Sequence, residues 1–153
     1  MSKKKGGAEG RVISTNRRAT FDYTVEDSYE AGLVLTGTEV KSLRAGGAVI
    51  HDGFVEIKDD EAWLMRTHIP PYSHGNRENH EPNRKRKLLL SAREIAKIKR
   101  KTSQQGFTAF AISLYFSGAW VKLKIGVGRG KKSWDRREDE KEKSSRRELR
   151  DQG

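Results

Sequence analysis

Between Phe110 and Val127 the chain alternates apolar and other residues on both sides of a Ser117-Gly118 link. Phe110, Ile112, Leu114 and Phe116 alternate with Ala111, Ser113 and Tyr115. Val121, Leu123, Ile125 and Val127 then alternate with Trp120, Lys122, Lys124 and Gly126. A period of two puts the two sets on opposite faces of a strand, and a short glycine-containing link folds two such runs into an antiparallel hairpin. One hairpin is not stable in water, so its apolar face must be covered by further strands or helices.

The rest of the chain supplies them. Phe21, Tyr23 and Val25 alternate with Asp22 and Thr24, which predicts a strand, and Glu26 to Glu30 reads as an acidic turn. Ala31 to Leu35 (AGLVL) is an apolar run of strand length. Val55 and Ile57 alternate with Glu56 and Lys58, Asp59-Asp60 turns the chain, and residues 62–69 return with Trp63, Met65 and Ile69 on one face. Pro70-Pro71 stops that strand. About six antiparallel strands result. The expected class is mainly β, an OB-type barrel whose closure removes exposed edges; a split sheet with helices on one face is the alternative.

Two short helices are written into this β pattern. Thr36 and Glu39 form a capping box, in which each side chain satisfies a backbone amide of the other's residue. Val40 and Leu43 give that helix an apolar edge, Lys41 and Arg44 lie opposite, and Gly46-Gly47 ends it. Ser91 and Glu94 repeat the box ahead of a second helix reaching to about Gln104. There Ile95 and Ile98 face inward, and Lys97, Lys99, Arg100 and Lys101 lie on or near the outer face.

Charged residues make up 35% of the 153-residue chain and hydrophobic ones 33%, so part of the chain lies outside any core. The net charge is +11, and it is clustered. Residues 1–18 carry six Lys or Arg against one Glu, and residues 84–101 carry nine against one Glu. Residues 129–153 carry ten against seven Asp or Glu, leaving the remainder acidic. Basic segments on an ordinary body suit a polyanion, above all a nucleic acid. Arg84 to Lys87, together with the outer face of the following helix, are the expected phosphate contacts.

Other chemistries find little support. With no cysteine there is no disulfide framework or thiolate metal site, and His74 and His80 lie in a polar loop without ligand spacing. No serine lies in G-x-S-x-G, and GVGRGKK lacks the spacing of a phosphate loop. No apolar run reaches membrane-spanning length. A noncatalytic protein without cofactor or metal, in a reducing cytoplasmic setting and monomeric when free, is the expectation.

Three domains follow from composition. Residues 1–15 read as a disordered basic N-terminus and 16–128 as the barrel. Residues 129–153 read as a charged tail, disordered or helix-prone. In the tail 17 of 25 residues are charged, and Trp134 and Leu149 are the only large apolar ones. Its charges fall at helical spacing, as in Glu138, Glu142 and Arg146.

YEAGLVLTGTEVKSLRAG, the later RKLLL and the terminal GKKSWDRR, in this order and with these gaps, resemble the SmpB family of transfer-messenger RNA-binding proteins. The likeness runs from about Asn16 to Arg137. It implies an OB-type barrel that holds the tRNA-like domain of transfer-messenger RNA. It also implies delivery of that RNA, with elongation factor Tu, to ribosomes stalled without a codon, for trans-translation. By resemblance Asn16, Glu30 and Leu89 contact the tRNA-like domain. Each has a second reading: Asn16 and Glu30 as turn residues, Leu89 as core. Arg17, Arg18, Lys41, Arg44, Arg84, Lys85, Arg86 and Lys87 complete the expected RNA-binding set. The resemblance further implies that Gly130, Lys131, Lys132, Trp134, Asp135, Arg136 and Arg137 enter the vacant mRNA path near the decoding centre. Gly130 would be the hinge and Trp134 a stacking residue where the family usually has His or Tyr. A small ribosomal or ribosome-assembly protein is the alternative function.

Overall fold

The computed structural model describes residues 10–74 and 79–131. Its spine is the expected hairpin, β6 (Phe107–Ser117) with β7 (Trp120–Gly130), paired antiparallel from Phe107↔Arg129 to Ser117↔Trp120. Before it come β1 (Arg11–Thr15), α1 (Ala19–Asp22), β2 (Tyr23–Leu33), α2 (Gly37–Ala45), β3 (Phe54–Lys58), β4 (Glu61–Met65), β5 (Arg86–Leu89) and α3 (Ala92–Thr102). Pairing runs β6-β3-β4-β5-β2-β7, and β7 returns to β6, so six strands close a ring. β1 adds to β6 beside that ring through pairs such as Val12↔Tyr115. The OB-type barrel is therefore present. The N-terminal expectation is corrected at Arg11–Thr15, which is a strand. β6 is longer than its pairing with β3, a single Phe54↔Phe110 pair, so its free edge takes up β1.

The core fills the ring with Ala31, Leu64, Leu88, Leu114, Leu123 and Ile125, each nearly inaccessible. Both capping boxes form. Thr36 accepts from the Glu39 amide and Ser91 from the Glu94 amide, while both glutamates bond back to the cap amides. Each cap of this kind contributes about 0.5–2 kcal/mol to its helix. α2 inserts Leu43 into one side of the core and α3 inserts Ile98. The β3–β4 hairpin turns through Asp59 and Asp60, both at positive φ (54° and 61°), as a two-residue turn matched to strand twist requires.

Four sequence expectations need correction. The strand expected over Phe21 to Val25 begins only at Tyr23: residues 19–22 are helical and Phe21 is 77% exposed. Glu26 to Glu30 is no turn but the middle of the 11-residue β2, stabilised by pairing with β7 from Tyr23↔Gly130 to Gly32↔Lys122. The returning strand is shorter than expected: β4 ends at Met65 with Ala62 and Leu64 inward and Trp63 and Met65 on the other face, while Ile69, expected beside them, is buried in the core. In β6 a bulge between Ala111 and Ser113 switches the parity. Ala109 and Ala111 precede it in the main core cluster and Leu114 and Phe116 follow it, whereas Phe110, also fully buried, packs on the other face of β6, stacked on Tyr23 with ring centroids 4.0 Å apart. Gly128 answers a close approach of β2: a Cβ there would stand 1.7 Å from the Thr24 carbonyl oxygen. β7 also extends two residues past the expected end of the barrel at 128.

Candidate nucleic-acid interface

Strand register assembles one patch from β5, β2 and β7, backed by a buried tyrosine of β6. Leu89 lies opposite Gly32, Gly32 opposite Lys122, and Lys122 opposite Tyr115. One row thus crosses four strands. In the adjacent row Glu30 lies opposite Lys124. The Tyr115 hydroxyl donates to a Glu30 carboxylate oxygen, and Lys122 Nζ stands 3.5 Å from the other. Leu89 is 52% exposed and Trp120, two positions before Lys122, is 67% exposed. Gly32 has no side chain, and the Leu89 side chain lies against its position, 3.5 Å from where a Cβ would stand. Glu30 stays partly open to solvent, with Lys122 beside it and Lys124 opposite it in the register. Such a surface suits RNA: cations for phosphates, a carboxylate for a base edge or 2′-hydroxyl, an aromatic for a base face.

Leu89 is therefore not core. β5 alternates, with Arg86 and Leu88 inward and Lys87 and Leu89 outward. Glu30 and Leu89 meet across Gly32 as neighbours on one surface.

Alternation also divides the four cations 84–87. Arg86, expected to contact phosphate, is fully buried, and that expectation is corrected. Its Nε donates to Glu39 Oε2 at 2.8 Å, and its other nitrogens donate to the carbonyls of Arg84, Glu81 and Pro82 and to Thr67. A strand residue of inward parity cannot reach solvent, so its charge is met inside. Arg84, one-third exposed, grips the same carboxylate with Nε at 2.9 Å and Nη2 at 2.7 Å. Burial works to raise the Glu39 pKa. The Arg84 bonds, the Thr36 amide and the Arg86 charge outweigh it and hold the group below its ordinary value. Lys85 and Lys87 remain on the surface. Lys85 Nζ lies 4.5 Å over the Trp63 ring, and Lys87 pairs with Glu61 at 3.1 Å.

Asn16 is buried and structural in its contacts. Its Nδ2 donates to the Ala111 carbonyl at 2.8 Å, beside the β6 bulge, and its Oδ1 accepts from the Arg18 amide. It fixes the segment that carries the exposed Arg17 and Arg18. Lys41 and Arg44 are exposed on α2 as expected, with Lys41 Nζ 5.9 Å over the Tyr72 ring. Gly130, expected to be a hinge, is the buried last residue of β7, and its amide donates to the Gly106 carbonyl at 3.2 Å. Lys131 Nζ reaches the Thr20 carbonyl. Lys132, Trp134, Asp135, Arg136 and Arg137 lie outside the described residues. His80 uses both ring nitrogens, on the Thr38 hydroxyl and the Ile69 carbonyl.

Tyr115, not among the candidate residues, is buried at 1% exposure and bears on the patch only by holding the Glu30 carboxylate. Its signal was a parity opposite to Leu114 and Phe116, placing a polar aromatic on the same face as Lys122.

Comparison with known proteins agrees with this geometry. The family described as SmpB protein matches residues 13–152. An SsrA-binding protein of Thermobifida fusca is 51% identical, covering 97% of this chain and 95% of the relative. That of Anoxybacillus flavithermus is 49% identical, covering 92% of each. A solved structure described as "tmRNA-SmpB: a journey to the center of the bacterial ribosome" superposes with TM-score 0.66 at 42% identity, covering 78% of this chain and 84% of that one. Family, sequence identity and barrel coincide over nearly the whole length, and the chain belongs to the SmpB family.

Proposed function

We propose that this chain binds the tRNA-like domain of transfer-messenger RNA through the Leu89–Gly32–Lys122–Glu30 patch. On this reading it escorts that RNA, with elongation factor Tu, to stalled ribosomes in the cytoplasm. The observation that carries it is the meeting of Glu30 and Leu89 on one open, cation-flanked surface in a chain of this family. The role is noncatalytic: the patch offers recognition groups, and its one carboxylate is already engaged by a phenol and an ammonium. The second half of the role belongs to residues 132–137. Lys132, Arg136 and Arg137 would meet rRNA phosphates in the empty mRNA path and Trp134 would stack on a base, an interaction worth about 1–3 kcal/mol.

The test separates the two halves. Truncation belongs after Lys131, because Gly130 is part of β7 and closes against Gly106. The truncated protein should keep the affinity of the full chain for a transfer-messenger RNA fragment and lose tagging of peptides on stalled ribosomes. Full-rate tagging by the truncated chain would refute the role of residues 132–137. An equal loss of RNA affinity would refute the assignment of binding to the barrel.

A further inference from the structure

We propose that Arg93, Lys97 and Arg100 on α3 form a phosphate-contact strip for the same RNA that occupies the β5–β2–β7 patch. This rests on the RNA-binding reading above and adds a surface to it. Along an α-helix successive residues turn by about 100°, so positions 93, 97 and 100 fall within about 60° of one another. Ile98, fully buried, and Ile95, packed on the core, hold the opposite side. The three cations therefore point away from the barrel, and all are exposed.

The flanking charges are used elsewhere. Lys99 reaches Asp60 at 3.7 Å and Lys101 reaches Glu26 at 3.2 Å. Glu94, the helix's own carboxylate, is spent on the Ser91 capping box. Among the described residues none of the three row cations has a carboxylate within ion-pair distance. Like charges three and four positions apart repel and weaken the helix that carries them. A line of anions along the row removes that cost. The row extends roughly 10 Å, so a single small anion cannot span it, whereas consecutive backbone phosphates can. A membrane surface fits poorly, because the apolar residues exposed on α3 are Ala92 and Ala96, too small to insert. α3 also starts three residues after Leu89, so Arg93 is only four positions from that edge of the patch.

The test uses the full chain with Arg93→Ala, Lys97→Ala and Arg100→Ala together. Alanine suits an exposed helix face, so circular dichroism and melting should match the wild type. The probe is a labelled tRNA-like-domain fragment, titrated by fluorescence anisotropy over a series of KCl concentrations. The triple variant should bind about tenfold or more weakly at about 0.1 M salt, and the log–log salt slope should shrink by roughly 2, at about 0.7–0.9 per lost contact. A variant with Arg93→Lys and Arg100→Lys should keep the slope. Triple-variant binding with wild-type affinity and slope would overturn the strip. Tighter binding by the triple variant would also overturn it, pointing to the acidic segment 138–142 of the chain itself as the occupant. Failure of the wild type to bind the fragment would instead remove the RNA-binding reading, and the strip with it.

Discussion

Glu30 and Glu39 are nine positions apart, and each sits among cations, yet they do opposite work. Glu39 lies inside, gripped by two guanidinium groups, with the Thr36 amide on the same carboxylate. All its acceptor capacity faces the protein, which ties α2 to the segment leading into β5. Glu30 lies on the outer face of β2, bonded to the Tyr115 hydroxyl and approached by Lys122, with solvent on its remaining side. The difference teaches that a carboxylate amid basic residues is a lock when its neighbourhood is closed and a recognition group when it is open. The same lesson separates adjacent residues of β5, where Arg86 belongs to the lock while Lys87 and Leu89 belong to the surface.

The largest effect should come from breaking the lock. Arg86→Ala leaves Glu39 buried with a lost partner, which costs about 3–5 kcal/mol. Urea or thermal melting should show it, and Arg86→Met combined with Glu39→Gln should recover part of the loss. Acid probes the same site without mutation. Because the folded pKa of Glu39 is depressed below its ordinary 4.5, its stabilisation is fully present above that value and is lost as pH falls through the folded one. Wild-type stability should therefore decline more steeply below pH 4.5 than that of Glu39→Gln. Equal acid limbs would remove the closed-site account.

A smaller effect is expected at the open site. Glu30→Ala should weaken binding of the tRNA-like fragment by about 1–3 kcal/mol, the cost of an unmade charged hydrogen bond, with Glu30→Gln losing less. Melting should change little. If instead stability falls and the affinity of the folded protein is unchanged, Glu30 is a second lock and the comparison collapses.

The smallest effect sharpens the contrast within β5. Leu89→Ala should alter stability by no more than about 0.5 kcal/mol, as suits a surface position, while reducing RNA affinity by about 1 kcal/mol through lost apolar contact. Leu88→Ala, in the core one residue earlier, should reverse the pattern, costing about 2–5 kcal/mol of stability. Paired melting and anisotropy measurements on the two variants decide it.

The sequence by itself determined much of this protein. Local rules sufficed for both capping boxes, for the β3–β4 and β6–β7 hairpins and for the inward set of β7, because each depends on residues within one turn or one alternation. The mainly β class was legible from alternation and the family from motifs kept in order, but the strand list was not: the runs expected at 21–25 and 31–35 belong to one strand, β2, and β5 was not expected. Tertiary structure alone decided the rest. The bulge after Ala111 put Phe110 on the opposite face of β6 from Leu114 and Phe116, and bulges leave no mark in a period-two pattern. Pairing with β7 turned Glu26 to Glu30 from an apparent turn into mid-strand, because partner amides and carbonyls outweigh the poor strand preference of acidic residues. Register brought Leu89 to Gly32 and Lys122, placing Glu30 beside them. The fate of the basic run 84–87 depended on which of its cations alternation turned inward, toward a carboxylate delivered by α2. Charge can be counted along a chain, but whether it faces water or another charge is fixed only when the strands close.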